Sequence, residues 1–503
     1  MPALLLLLLL TPAARAVTVR VGPAVGAELS PSFASFGWEM DGMKPLLPAT
    51  TDPRWRRAAS HLAPAMIRVG GITGDWQYYA GLGGPETYWP TKESNFTLSQ
   101  LHTLLDFFNA TGLTLMLMLN ELHGRDCNTT SPTGAPDWCS GEWDTSNARA
   151  LLSYIHDARL FNGATGLLAF ELGNELIGHL DAAANVADIK TCAALIQEVW
   201  ADAPAAERPP LFAPSTDACS SPAQMDIMRN VTGVPGVAGF TFHGYPGGSG
   251  LNPPLKDLLT NATWLRHGIM TGSDAAGCLA AWDAGPRQAG LQLLLTEASS
   301  SWAWDLPPPA QDSFLHTFFT LAELGQYAAT GVGFVARWAF SEASPFATLR
   351  VNASAPAGVT PAADYWALLA HKASVGRWAL ASAGDDDRVL VFAHCGKGGG
   401  GALALTAVNP GAAAAPLSLR AAAGGASIPQ APRLEWVFTA PGGNVAAREP
   451  SLNGGAPLAL EADGSLPGAF APLAVAAGGA DIALPPLSAS VFLLQGAGFA
   501  GCA

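Results

Sequence analysis

The 503-residue chain carries 49% apolar residues and 15 Trp against 13% charged residues, which argues against disorder over most of its length and exceeds what one ordinary core needs. Its net charge of −14, from 26 basic and 40 acidic side chains, argues against a nucleic-acid partner and against broad electrostatic capture of a polyanion.

Residues Met1 to Ala16 form a leucine run closed by Ala14-Arg15-Ala16, the small-x-small pattern of a secretory signal peptide, although no Lys or Arg precedes the run. No later stretch approaches the roughly 18 consecutive apolar residues of a transmembrane helix, so the mature chain is expected to be secreted and soluble. Sequons at Asn95, Asn109, Asn128, Asn230, Asn261 and Asn352 fit a secreted glycoprotein. The seven Cys show no metal-ligand spacing and are expected to form a few disulfides with one thiol left over, Cys127 and Cys139 offering a local pair.

Val17 to Glu28 alternates like a half-buried edge strand. From about Phe33 strands and helices alternate. Ala65 to Gly71 reads as a strand, Leu98 to Phe108 as a helix, Leu113 to Leu119 as a buried strand before Asn120-Glu121, and Ala148 to Tyr154 as a helix. Strands follow at Leu167 to Glu175, Val237 to Phe242 before His243-Gly244-Tyr245, and Leu291 to Glu297, then a helix at Phe314 to Ala328 and a strand at Val332 to Phe340. Repeated βα alternation over this length predicts an α/β fold with a closed (α/β)8 TIM barrel. After about Gly376 short strands broken by Gly, Pro and Ala predict an antiparallel β-sandwich. The expected division is a signal peptide at 1–16, an N-terminal strand joining the sandwich at 17–32, the catalytic barrel at 33–375 and the β-sandwich at 376–503.

Two strand ends carry the chemistry. Leu167-Leu168-Ala169-Phe170 runs into Glu171-Leu172-Gly173-Asn174-Glu175, and Leu291 to Leu295 runs into Thr296-Glu297-Ala298-Ser299-Ser300. Barrel enzymes hold their active groups at the C-terminal ends of the strands, and two carboxyls about 5–5.5 Å apart are what retaining glycoside hydrolysis requires. Asn174 is placed to hydrogen-bond a sugar 2-hydroxyl. Arg68 either pairs with Glu297 and holds it ionised or forms a structural ion pair in the barrel floor. His243 and Tyr245 are candidates to position the nucleophile and the sugar. Trp302 and Trp304 follow Glu297 closely and offer faces to a sugar ring or to packing. Glu121 and Glu171 are rival carboxylates, but Glu171 lies four residues, roughly 13 Å of extended strand, before Glu175 and is expected below the site in a salt bridge. His123 and His179 read as loop residues. No metal or cofactor is required.

These residues resemble a known clan and family. In the large clan of retaining barrel glycosidases an Asn-Glu pair ends the fourth strand and supplies the acid/base, and a Glu ending the seventh is the nucleophile; the resemblance assigns Glu175 and Glu297 to those roles. Phe170 to Glu175, Thr296 to Ser300, Ile67-Arg68-Val69-Gly70-Gly71, Asp364 to Leu369 and His394-Cys395 are similar to heparanases and heparanase-like β-glucuronidases over nearly the whole mature chain. The resemblance implies a disulfide between Cys395 and Cys502 and a glycan or glucuronide substrate; a monomer is expected. Three departures stand out. The connection between Tyr78 and Asn95 is too short for an excised linker. The stretches around Asn95 and from Ala218 to Arg229 lack basic clusters. The loop Ser341 to Phe346 lacks the Tyr and Gly pattern that holds a uronate. The expected activity is a secreted retaining β-glucuronidase, in the extracellular space or cell wall, or in a lysosome or vacuole. Alternatives are an endo-β-glucuronidase on heparan-like chains and an inactive carbohydrate-binding or matrix protein on the same scaffold.

Overall fold

The computed structural model describes residues 16–82, 95–128, 137–162, 165–304, 306–309, 311–342, 345–479 and 481–502. The leucine run, most of the connection between Tyr78 and Asn95, and Ala343-Ser344 of the loop after Phe340 lie outside the described residues.

Eight strands close a parallel barrel: Ala34–Glu39, Met66–Gly70, Thr114–Leu119, Leu167–Leu172, Leu211–Thr216, Val237–Gly244, Gln292–Ala298 and Val335–Trp338, each paired with its neighbours in chain order and the last with the first. They are apolar on both faces because one face fills the barrel and the other lies under helices, so Thr114–Leu119 is buried from its second residue onward. The fifth strand is absent from the sequence reading. Pro214 sits inside it and Ser215-Thr216 end it, which breaks the apolar run although every residue is buried.

Local chemistry sets the helix ends. Thr97 and Gln100 form a reciprocal capping box at the start of Leu98–Thr111, and Gly112, at a φ of 70°, ends it in the left-handed conformation. Asp181 and Ser221 cap the starts of Ala182–Val199 and Pro222–Val231, the Asp181 side chain accepting from the Ala183 and Ala184 N–H groups and the Ser221 hydroxyl from that of Gln224.

The second layer is one curled sheet of short strands. Val17–Val25 lies in it beside Val375–Gly384 and Ala415–Ala421. The sheet is antiparallel as expected, including its pairing of Val17–Val25 with Val375–Gly384, and among the described residues only the pairing of Val17–Val25 with Ala415–Ala421 is parallel. The reason is topological, since a strand from the chain's far end enters without a hairpin to set its direction. Val17, Val19 and Val21 are buried there with Leu380, Leu405 and Phe492. Three disulfides join Cys127 to Cys139, Cys219 to Cys278 and Cys395 to Cys502, and Cys192 is free and buried.

Helices Phe314–Ala328 and Ala363–Ser374 are apolar nearly all round because they pack between barrel and sheet. Gly325 lets the Phe392 ring of the sheet approach so closely that a Cβ there would collide with it. Asp364, fully buried, accepts from Arg337 Nε at 2.7 Å, and its Oδ2 lies 3.0 Å from His316 Nδ1. Arg337 in turn donates to the Phe346 carbonyl at 2.5 Å and the Gln311 carbonyl at 3.0 Å, so one ion pair ties both interface helices to the end of the eighth strand. Asp364→Asn is predicted to leave a buried guanidinium without its counter-charge and to cost about 3–5 kcal/mol in chemical unfolding. A loss under about 1 kcal/mol would contradict that role.

Candidate active site

The C-terminal ends of the barrel strands surround a pocket of about 610 Å3. Its lining includes Glu39 from the first strand, Asn174 and Glu175 beyond the fourth, Asp217 beyond the fifth, His243 and Tyr245 from the sixth, Glu297 from the seventh and Trp338 from the eighth.

Below the pocket lies Arg68, wholly buried on the second strand. Its Nε donates to Glu171 Oε2 at 2.5 Å, its Nη1 to Glu297 Oε1 at 2.6 Å, and its Nη2 to Asn174 Oδ1 at 2.9 Å. One planar guanidinium therefore serves both readings of Arg68, the structural ion pair and the contact to Glu297. Because Arg68 can only donate, it fixes the Asn174 amide with its NH2 group free to donate elsewhere. Glu171 also accepts from Thr241 Oγ1 at 2.6 Å and lies beneath the pocket, out of contact with it.

Glu175 stands on a turn that few residues tolerate. Gly173 has a φ of 68°, and a Cβ there would run into the Glu121 carboxylate. Glu175 itself has a φ of 52°, a left-handed conformation that costs an L-residue roughly 1–2 kcal/mol. The turn is held by Asp75, which accepts from the Asn174 N–H at 2.8 Å, and by the Glu175 N–H donating to the Ser215 carbonyl at 3.1 Å.

The two pocket carboxyls meet different partners. Glu297 accepts from Arg68 and, at 2.6 Å, from the Tyr245 hydroxyl, and its side chain is 8% exposed. Glu175 Oε1 lies 2.5 Å from His243 Nδ1, and its side chain is 26% exposed. Burial pushes the Glu175 carboxyl above its ordinary range, offset in part by the positive charge of Arg68 and His179. Burial also raises Glu297, against the lowering effects of His243, Arg68 and the Tyr245 hydrogen bond. His243 is pushed down by burial toward the neutral imidazole, and its Nε2 lies 3.0 Å from Ser215 Oγ. With its proton on Nδ1, that imidazole donates to Glu175 Oε1 and leaves Oε2 to carry the acid's proton.

One ligating atom from each of Glu175, His243 and Glu297 lies within 4.8 Å of the others. Close carboxyls of this kind match the roughly 5–5.5 Å of retaining glycosidases better than the roughly 6.5–9.5 Å that admits a water between them. Among the described residues this trio is the group compact enough to hold a cation, but the Arg68 guanidinium already sits against Glu297.

Trp302 and Trp304 line the pocket with 57% and 63% of their surfaces exposed, so both rings face its mouth instead of the core. Glu121 is buried and accepts from Asn185 Nδ2 at 2.7 Å, outside the pocket lining. Of the sequon residues, Asn109, Asn128, Asn230 and Asn261 are exposed and Asn95 and Asn352 are half-buried.

Sequence reasoning missed Glu39, Ser215, Asp217, Asp274 and Trp338. Glu39 had a signal, an acid closing an apolar strand as Glu297 does. Asp217 and Asp274 sit in loops of no distinctive pattern. Glu39 accepts from the Thr73 N–H at 3.0 Å and from its hydroxyl, and burial pushes its carboxyl up to about 8.

Tyr245→Phe removes a hydrogen bond that favours ionised Glu297, so the acidic limb of the pH–rate profile is predicted to move to higher pH. The rate at the optimum is predicted to fall about ten- to a hundredfold, the worth of a hydrogen bond to a charged group. An unmoved acidic limb would show that Tyr245 does not control Glu297.

Residues 55–287 match the model of "Glycosyl hydrolase family 79, N-terminal domain". No curated protein sequence matches the chain. Among solved structures, the chain is similar to a 4-O-α-L-rhamnosyl-β-D-glucuronidase from Fusarium oxysporum 12S, at 14% identity and a TM-score of 0.66, over 95% of this chain and 100% of that one. It is similar to a GH51 arabinofuranosidase from Xanthomonas axonopodis pv. citri at 15% identity and a TM-score of 0.64, over 95% and 100% of the two chains. A monomeric β-xylosidase from Caulobacter crescentus CB15 follows at 16% and 0.59, over 95% and 99%. At these identities the structures speak for the fold, a barrel with a β-sheet domain, while the family match speaks for the chemistry. Residues 55–287 thus match a family 79 glycosyl hydrolase N-terminal domain, and the chain is a glycoside hydrolase.

Proposed function

We propose that the protein is a secreted retaining β-glucuronidase that cleaves glucuronide linkages of glycans or small glucuronides by double displacement. The observation that carries the mechanism is the pair of close carboxyls with unlike partners, Glu297 on Arg68 and Tyr245, Glu175 on His243.

In the first step Glu297 attacks the anomeric carbon while Glu175 gives its proton to the departing oxygen. The bond to the aglycone breaks as the bond to Glu297 forms. The Asn174 amide donates to the sugar 2-hydroxyl, an interaction that strengthens as the oxocarbenium-like transition state develops. Esterified Glu297 no longer carries charge, so the pKa of Glu175 drops and it takes a proton from the water that releases the sugar. Arg68 acts through Glu297 and Asn174 and is a positioning residue.

Two observations support a uronate at the cleaved position: the family 79 match, and Glu39, whose raised pKa keeps it protonated in mild acid and able to donate to a carboxylate. A second reading, a neutral β-glycoside, is favoured by the lining itself. Glu39, Glu175, Asp217, Asp274 and Glu297 line the pocket and, among the described residues, no Lys or Arg does. The same acids disfavour long heparan-like polyanions.

A panel of aryl β-glycosides tests the reading. Turnover of the glucuronide alone is expected, and preference for a neutral glycoside would overturn the uronate assignment while keeping the mechanism. Glu297→Gln is predicted to lose about a thousandfold or more of kcat. Glu175→Gln is predicted to lose about a hundred- to ten-thousandfold on poor leaving groups, with azide restoring turnover of activated substrates because it needs no general base. Full activity in either variant would remove that residue from its role.

A further inference from the structure

A second cavity, of about 740 Å3, lies at the opposite end of the barrel from the active pocket. Phe33 and Ala34 at the start of the first strand and Ala63-Pro64 before the second line one side. The end of helix Ala363–Ser374 and the sheet segments around Trp378 and Lys397 line the other.

Its charge runs against that of the chain. Lys372, Lys397, Arg377, His61 and His371 all line it, and no Asp or Glu among the described residues does. Arg377 is paired at the surface with Glu28. The Lys372 ammonium meets only backbone, donating to the Ala34 and Pro64 carbonyls at 2.7 Å each, and Lys397 Nζ donates to the Lys372 carbonyl at 2.5 Å. Neither lysine has a carboxylate in ion-pair contact among the described residues. His371 is 4% exposed, and its buried Nε2 has no hydrogen-bond partner. A largely buried Lys372 ammonium with no counter-charge and an unsatisfied imidazole nitrogen at one cavity wall are costly unless an anion completes them.

The remaining lining is apolar and aromatic. Phe33 and Phe470 face the cavity, and Trp378 is 38% exposed on the sheet side. A bare inorganic oxyanion would leave those surfaces wet, whereas a ring carrying an anionic group would cover them.

We propose that this cavity is a second binding site, remote from the catalytic pocket, for a small organic anion: a carboxylate or sulfate ester on an aromatic or sugar ring, held by Lys372, Lys397 and His371 with the ring against Trp378 and Phe470. Burial and the neighbouring Lys397 push Lys372 down to about 7, so it gains its charge as pH falls through that value and binding tightens with it. The other charged and titratable groups around the cavity are His61 beside Arg57 and Asp463, His371 with His394 behind it, and the Arg377–Glu28 pair.

Calorimetric titration of the full-length protein with phenyl sulfate, glucuronic acid and inorganic sulfate at pH 5.5 and 8 tests this, with the two organic probes separating an aryl from a sugar source. The expected result is one saturable site for at least one organic anion, tighter at pH 5.5. In Lys397→Gln, on an exposed loop, it weakens by about tenfold or more while hydrolytic activity is unchanged. Lys397 and Trp378 lie outside the lining of the catalytic pocket, so weakening in their variants separates the two sites. No saturable binding of either organic anion, or binding undiminished in both Lys397→Gln and Trp378→Ala, would overturn the proposal. Inorganic sulfate binding as tightly as phenyl sulfate would overturn the role given to the aromatic wall.

Discussion

A single buried guanidinium organises the catalytic end of the barrel. Arg68 joins the second strand to Glu171 of the fourth, Glu297 of the seventh and the Asn174 that precedes Glu175. A cation wholly out of water needs compensation by charge and hydrogen bonds, and two carboxylates and an amide provide it. Arg68 and its two carboxylate partners together carry one negative charge in excess, and Glu297 is the partner that faces the pocket. Glu297 is thereby both fixed in direction and left available, which is what a nucleophile needs. Glu175, on its left-handed turn, has no such cation in hydrogen-bond contact and keeps its proton through burial. On the proposed mechanism, the division of labour between two chemically identical side chains comes from which of them the guanidinium reaches.

Support for that arrangement extends well beyond the pocket. Asp75 anchors the turn from below, and the Asp364–Arg337 pair holds the loop beyond the eighth strand to the helices that carry the sheet domain. The sheet closes the other side of those helices, with the N-terminal strand Val17–Val25 inside it. Catalytic precision at one end and the two-layer architecture are therefore mechanically joined through helices Phe314–Ala328 and Ala363–Ser374.

Much of this was legible in the residues because strand ends announce themselves. Apolar runs that stop at Glu175 and Glu297 mark two strand ends, and the change to short Gly- and Pro-broken strands after Gly376 marks the sheet domain. The fifth strand was hidden by Pro214, whose tolerance depends on neighbours that periodicity cannot see. Asp217 and Asp274 reach the pocket through loops, where placement depends on tertiary contacts such as the Ser220 N–H donating to Asp274 at 2.6 Å. The dual role of Arg68 was similarly out of reach. Its residue type suggests an ion pair, but only the barrel's closure decides that two acids share it. The exposed faces of Trp302 and Trp304 also had to be seen, since a Trp beside a barrel more often packs than binds.

The central claim is that Arg68-bound Glu297 attacks the sugar and Glu175 serves as acid and then base. It is tested most directly by the anomeric configuration of the first-formed product, followed by proton NMR during hydrolysis of whichever aryl β-glycoside is turned over. The account predicts the β-anomer first, with the α-anomer growing in only by mutarotation. Release of the α-anomer first would mean a single displacement by water and would contradict the assignment of Glu297 as nucleophile.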